Sequence, residues 1–180
     1  MKELSYHVLD IANNSVRGKA KNIIVKINEN LESNKLTLII NDDGIGIQPE
    51  MLATIKDPFT TSRTMRKVGL GIPFLNDTCL LCNGGLIIES TVGEGTNLKA
   101  WMDYDHIDRP PLGNIVSTVT TLMTSEENIN IQYIHIVNNE SFKVSSNELK
   151  AILGDVPLNQ IEVVIWLKEY LKENIIELKN

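Results

Sequence analysis

The segment LTLIINDDGIG, residues 36–46, joins an apolar run to a glycine-rich turn and decides the interpretation of this chain. The run 35–40 is rich in β-branched residues and predicts a buried strand. Asp42, Asp43, Gly44 and Gly46 follow the end of that strand. Glycines let a backbone pass close to a flat ligand, and a carboxylate at a strand end can accept a hydrogen bond from an exocyclic amine such as that of adenine. An ordinary Asp-Gly turn is the alternative interpretation, because that pair also favours hairpins.

Upstream of this segment, residues 3–16 place apolar side chains at helical spacing, and 22–28 form a second short β-branched run. We therefore predict an amphipathic helix followed by a strand. Asp10 and Asn14 are four residues apart, so both side chains project from one face of the helix. Such a face can hold a metal ion and a water molecule together. A solvated polar face would have the same spacing.

Downstream, a helix is predicted to begin near Pro49, because proline is tolerated in a first turn. The polar, basic segment 57–68 predicts a mobile loop, and 69–81 returns to helical spacing. Small hydroxyls, cations and glycines in 60–71 suit a polyphosphate at a helix N-terminus, where unpaired N–H groups favour anions. A flexible basic loop is the alternative. The runs 86–90 and 97–102 predict a hairpin.

Composition narrows the function classes. The chain has 180 residues and a formal net charge of −6, which argues against a large nucleic-acid interface. It has neither an apolar run of the ~20 residues that span a bilayer nor a signal-peptide pattern, so we expect a cytoplasmic protein without a membrane partner. Cys79 and Cys82 have no second pair that would complete a zinc site, and we predict that both are buried and structural.

The character of the sequence changes after Tyr104, where HIDRPPLG, residues 106–113, forms a proline-interrupted connector. We place a domain boundary here, between 1–104 and a smaller αβ extension, 105–180. The extension is predicted to contain a helix at 115–123, strands at 129–137 and 142–144, and an amphipathic helix at 161–178.

Taken together, these motifs resemble a known family. LDIANNSVRGKA, residues 9–20, resembles the acidic-x-x-x-Asn box of the GHKL ATPases, which include gyrase B, the heat-shock chaperone ATPase, sensor histidine kinases and MutL. Residues 42–46 are similar to the family's D-x-G-x-G adenine box, and 67–71 to the G-x-G box that closes the ATP lid. Residues 93–96 resemble the hairpin that ends histidine-kinase catalytic domains. All boxes occur in order within residues 1–104.

The resemblance implies an α/β fold, a two-layer sandwich with a Bergerat-type mixed sheet and helices on one face, and a site for ATP and Mg²⁺. By resemblance, Asn14 would coordinate Mg²⁺, Asp42 would accept the adenine amino group and Thr96 would support that contact. Asp10 occupies the position of the glutamate that orients the attacking water in hydrolytic members, but aspartate is one methylene shorter. Close backbone passage and phosphate contacts would come from the glycines and cations of the boxes: Gly44, Gly46, Gly69, Gly71, Lys67 and Arg63.

Three functions fit this resemblance. The first is an ATPase-type regulatory switch with a mobile lid at about 57–71 and a regulatory protein partner, or a second copy of the chain, bound through the extension. The second is a serine/threonine protein kinase resembling anti-sigma factor kinases, and the third is a nucleotide sensor without catalysis. A sensor histidine kinase is disfavoured, since no dimerising helical hairpin precedes residue 1. A MutL-like repair role is disfavoured by the acidic charge.

Overall fold

The computed structural model of the protein describes residues 2–59 and 70–180. Its helices and strands follow one another in this order: α1 (Leu4–Arg17), β1 (Asn22–Asn30), β2 (Lys35–Asp42), α2 (Pro49–Leu52), α3 (Gly71–Leu81), β3 (Gly85–Thr91), β4 (Gly95–Asp103), α4 (Ile115–Ser125), β5 (Asn130–Val137), β6 (Glu140–Ser145), α5 (Ser146–Leu153) and α6 (Ile161–Leu178).

The strands of the described residues form one six-stranded mixed sheet in the order β3-β4-β2-β1-β5-β6. Neighbouring strands are antiparallel except β1 and β5, which run parallel. The expected α/β architecture with a mixed sheet and a C-terminal αβ part is thereby confirmed. Because β5 pairs with β1 along its length, the strands of the extension lengthen the same sheet.

Alternation along the strands separates the two faces of the sheet. Every second residue of β1 and β5 is buried, which is the period expected when one face of a strand packs on a core. The helices α1, α3, α4 and α6 pack on this sheet, and their apolar side chains join those of the strands in one buried cluster. Cys79 and Cys82 are both buried and unpaired, as predicted.

Most predicted elements are present within a few residues, with two differences. The helix at Pro49 has only four residues, and Ile55, in the turn after it, is buried nonetheless. The helix α5 was not predicted. Its signal was present in the sequence as a capping box, in which Ser145 accepts a hydrogen bond from the Glu148 backbone and the Glu148 side chain accepts one from the Ser145 backbone.

The proline-rich connector lies against the N-terminus of α1. The first N–H groups of this helix donate to connector carbonyls, Leu4 to Pro111 at 3.0 Å and Ser5 to Leu112 at 2.9 Å. These bonds satisfy two of the donors that a helix start leaves unpaired. Helix α4 packs on α1 just beyond, where the Thr118 hydroxyl donates to the Ser5 carbonyl at 3.3 Å. The division at residue 104 itself stays a prediction.

A buried polar chain joins β1, β5 and the end of α6. Glu29, His135 and Tyr133 occupy buried positions that alternation assigns to apolar side chains. The Tyr133 hydroxyl lies 2.7 Å from His135 Nδ1, and His135 Nε2 lies 2.7 Å from Glu29 Oε1. Lys179 donates to the same carboxylate at 2.9 Å. Each member thus has a partner, as buried polar groups require.

Candidate functional site

A cavity of about 880 Å³ opens among α1, the end of β2, α2, the start of α3 and β4. That volume falls within the range of small-molecule and cofactor sites. Apolar side chains form much of its wall, and polar side chains contribute the rest. The lining residues that the sequence also singled out are Asp10, Asn14, Asp42, Gly46 and Thr96.

Two hydrogen bonds hold the Asp42 carboxylate at the end of β2. Its Oδ2 accepts a hydrogen bond from the Ser15 hydroxyl at 2.6 Å, and its Oδ1 accepts one from the Gly44 backbone at 2.9 Å. A carboxylate offers about four lone-pair sites, so two bonds leave acceptor capacity for a donor in the cavity. Ser15 belongs to α1, and the bond therefore ties the helix to the strand end.

The turn after β2 is fixed by hydrogen bonds to the start of β1 and by close packing against the end of β3. Asp43 accepts hydrogen bonds from the backbone of Lys21 and Asn22 at 2.7 and 2.8 Å, which pin the turn to the start of β1. Gly46 has φ +73°, and a Cβ there would lie 2.2 Å from the Thr91 carbonyl oxygen. Only glycine tolerates both the dihedral angle and the contact. The turn consequently passes directly under the β3–β4 hairpin.

Thr96 stands opposite Asp42 in the register of β2 and β4. Its hydroxyl lies 2.9 Å from the Ser90 hydroxyl, which also donates to the Gly95 carbonyl. Ser90 accepts a further bond from the Ile47 backbone at 2.8 Å. The structure thus brings together Asp42 and Thr96, which lie 54 positions apart in the sequence.

The side-chain amide of Asn14 makes only one of its possible hydrogen bonds. Its Oδ1 accepts a long bond of 3.3 Å from Arg17, and its Nδ2 is buried without a hydrogen-bond partner. An amide oxygen this loosely held suits Mg²⁺, which binds oxygen and keeps several waters. No group of three or more His, Cys, Asp or Glu side chains in the described residues could hold a metal ion. A magnesium ion here would take its other ligands from water and phosphate.

Gly71, the first residue of α3, lies against Asp10. A Cβ at this glycine would stand 2.2 Å from Asp10 Oδ2, so only a glycine leaves that carboxylate in place. The spacing of the motifs did not reveal this contact, because it joins residues from two boxes. Lys67, Gly69 and Arg63 lie outside the described residues. The phosphate contacts of the two cations and the close backbone passage at Gly69 stay predictions.

His7 is a polar residue of this region that the sequence interpretation did not assign to the site. It lies one turn before Asp10 on α1, is 1% exposed, and neither ring nitrogen makes a hydrogen bond. Burial lowers the pKa of His7 below its ordinary value, although the nearby Gly71 backbone and the Asp10 carboxylate oppose that shift. Its spacing of three residues from Asp10 was the only signal in the sequence.

The mixed sheet and the cleft beside it define an α/β domain with a cavity of small-molecule size. Residues 2–106 match the family described as histidine kinase-, DNA gyrase B- and HSP90-like ATPase. Because the match covers more than half of the 180 residues, the chain belongs to this family. The family supports ATP as the ligand of the domain, as the resemblance implied.

A curated relative agrees with membership of this family. An uncharacterized sensor-like histidine kinase from Rhizobium meliloti (strain 1021) is 29% identical over 103 residues, which are 54% of this chain and 20% of that protein. The chain therefore spans about a fifth of the length of this curated relative.

Two solved structures share the fold. The N-terminal domain of a DNA repair protein has a TM-score of 0.55 at 13% identity, covering 80% of this chain and 52% of the other. The Aquifex aeolicus MutL ATPase domain complexed with ADP has a TM-score of 0.50 at 12% identity, covering 85% and 68%. At such identities the likeness concerns the fold alone. Within 2–59 and 70–180, every helix is too short or too polar to cross a bilayer.

Proposed function

We propose that this chain is a regulatory switch that binds Mg-ATP, with adenine on Asp42, the metal ion on Asn14 and the phosphates directed toward the start of α3. The observation that carries the proposal is the Asp42 carboxylate, which is fixed by Ser15 and Gly44 while acceptor capacity remains toward the cavity. The family supplies ATP as the ligand.

Base selectivity follows from the same carboxylate. Adenine presents an amino donor where guanine presents a carbonyl acceptor. A carboxylate that already holds two donors can accept the amino group, but it repels a carbonyl oxygen. We therefore infer that ATP binds in preference to GTP. Thr96, which faces Asp42 across the two strands, supports this contact directly or through water.

The proposed chemistry takes place where α1 and the start of α3 line the same cavity, which is where we place the phosphates. Asn14 would hold Mg²⁺, and the bound ion would draw negative charge away from the terminal phosphate. Asp10 would orient a water molecule for attack, with its carboxylate beside the Gly71 backbone at the start of α3. From the sequence we retain Lys67 and Arg63 near the phosphates and Gly69 for close backbone passage, in a lid at about 57–71.

The extension would connect this switch to a partner. Connector carbonyls of Pro111 and Leu112 hold the start of α1, which is the helix that carries Asp10 and Asn14. A regulatory protein or a second copy of the chain bound at the extension could therefore influence the ATP site through α1. Removing 105–180 would expose the β1 edge, so this partner proposal is best tested with the full chain.

The test of the adenine contact is Asp42→Asn. The amide can keep the bonds to Gly44 and Ser15, since the serine hydroxyl can reverse its role, but an NH₂ group then faces the adenine amine. Loss of a charge-assisted bond worth about 1.5 to 3 kcal/mol should weaken Mg-ATP binding roughly 10- to 100-fold. Isothermal titration calorimetry measures the Kd.

The matched control is Asp43→Asn, one residue along the turn. Asp43 bonds Lys21 and Asn22 and does not line the cavity, so its replacement should change the Kd by less than about threefold. GTP titrations of wild type and Asp42→Asn should show the preference for ATP shrinking in the variant. An Asp42→Asn protein that binds ATP as tightly as wild type would remove Asp42 from the adenine site.

A further inference from the structure

Unsatisfied buried polar atoms concentrate on one stripe of α1. Among the residues that the structure describes, four buried side-chain nitrogen and oxygen atoms have no hydrogen-bond partner, and three of them belong to His7 and Asn14. These residues are seven positions apart, two helical turns, with Asp10 between them on the same face. Buried polar groups are nearly always paired, so the stripe requires an explanation. Asn14 belongs to the proposed metal site, although magnesium would bind its Oδ1 and not the unpaired Nδ2. His7 has no such role.

The surroundings of His7 indicate its partner. The ring is fully buried, and the Gly71 backbone lies close enough to favour its protonated form, though without hydrogen-bond geometry. Gly71 is also the residue that touches Asp10. One backbone position at the start of α3 therefore adjoins both side chains. A small approach of α3 toward α1 would bring the Gly71 carbonyl, which has a second lone pair, within reach of a ring N–H.

We propose that His7 is a positioning residue of the ATP site, whose neutral ring donates a hydrogen bond to the Gly71 backbone when bound nucleotide draws α1 and α3 together. The inference rests on the proposed function. Asp10 and Asn14 of α1 and Ile72 of α3 line the same cavity, so a ligand there contacts both helices. The new bond would fix Gly71 against Asp10. His7 itself touches neither nucleotide nor reacting atoms.

This role makes a prediction that simple core packing does not. Neither ring nitrogen of His7 makes a hydrogen bond in the structure, so His7→Leu removes a polar group that has no bond to lose. The midpoint of thermal unfolding without nucleotide should stay equal to wild type or rise. Mg-ATP binding should weaken about three- to tenfold, the effect of one neutral hydrogen bond. His7→Gln, which retains an N–H donor, should recover most of that affinity.

The matched control is Thr118→Val, because Thr118 also makes a buried polar contact with α1 but at Ser5, on the side of the extension. This variant should unfold at a lower temperature while its Kd for Mg-ATP stays near that of wild type. The experiment uses thermal unfolding without ligand and calorimetric titration with Mg-ATP on the full chain.

The outcomes separate the two proposals. A wild-type protein that fails to bind Mg-ATP overturns the proposed function. If wild type binds and His7→Leu binds equally well, the positioning role is wrong. A marked loss of unliganded stability in both His7→Leu and His7→Gln assigns the ring to packing and also overturns the inference. Weaker binding in His7→Leu with unchanged stability, rescued by glutamine, supports it.

Discussion

Replacing Asp10 with asparagine should leave Mg-ATP binding nearly unchanged and reduce phosphate release about 100-fold or more. The amide has the shape of the carboxylate, so the contact with Gly71 is retained, whereas its ability to accept a proton from water is lost. A positioned general base contributes about 100- to 10,000-fold. We expect the lower end, because the aspartate is one methylene shorter than the glutamate of hydrolytic relatives and geometry limits its reach.

The measurement is phosphate release by purified wild type and Asp10→Asn under saturating Mg-ATP, after calorimetry has shown that both bind. Asp77→Asn on α3, which lies away from the cavity lining, is the control and should release phosphate at the wild-type rate. Binding without phosphate release in wild type would contradict the hydrolytic switch. Transfer of labelled phosphate to a co-purifying protein would then indicate the kinase, and its absence the nucleotide sensor.

The second large effect is expected far from the cavity, at the buried Glu29. Burial alone would raise the pKa of this carboxyl, but hydrogen bonds from His135 and Lys179 outweigh burial and lower the pKa from 4.5 to about 2. A depressed pKa in the folded state stabilises the protein above the unfolded value and loses that contribution as the pH falls. The stability that Glu29 supplies should therefore disappear between about pH 4.5 and pH 2.

Glu29→Gln should lower the free energy of unfolding at pH 7 by about 2 to 3 kcal/mol. The depressed pKa corresponds to about 3 kcal/mol, and the half-exposed Lys179 loses part of its share to solvent screening. Chemical denaturation across pH 7 to 3 measures the effect, and the wild-type and variant curves should converge as the pH falls. Glu32→Gln, in the exposed β1–β2 loop, is the matched control.

Lys179→Met distinguishes the contribution of Lys179 from that of His135. A partly exposed ion pair contributes up to about 1 kcal/mol, so this variant should lower the free energy of unfolding by less than Glu29→Gln does. Equal stability of wild type and Glu29→Gln at every pH would contradict a stabilising role for the Glu29 carboxylate.

Much of the fold was predictable because its signals are local. The β-branched runs along 22–28 and 35–40 and the helical spacing along 3–16 can each be recognised within a short stretch of the sequence. The order of the motifs along the chain indicated the family, and the resemblance to that family implied ATP as the ligand. The spacing of Asp10 and Asn14 placed both on one face of α1, and the structure puts both in the cavity wall.

The remaining features depend on residues distant in sequence. Parallel pairing of β1 with β5 joins residues about 108 positions apart, and nothing in either strand specifies its partner. Alternation places Glu29 and His135 on the buried face, but only their pairing makes that burial tolerable. The Gly71 contact with Asp10 likewise joins two boxes that the sequence shows separately.

By itself, the sequence predicted most of the helices and strands and indicated the family, because those properties reside in local patterns and ordered motifs. It also supplied the residues that we propose for the ATP site. Tertiary structure alone decided which polar atoms are satisfied. Asp42 is held by Ser15 and Gly44, Glu29 is paired, and His7 is buried without a bond. The physical reason is that desolvation depends on every neighbour in space, whereas a sequence pattern records only neighbours along the chain.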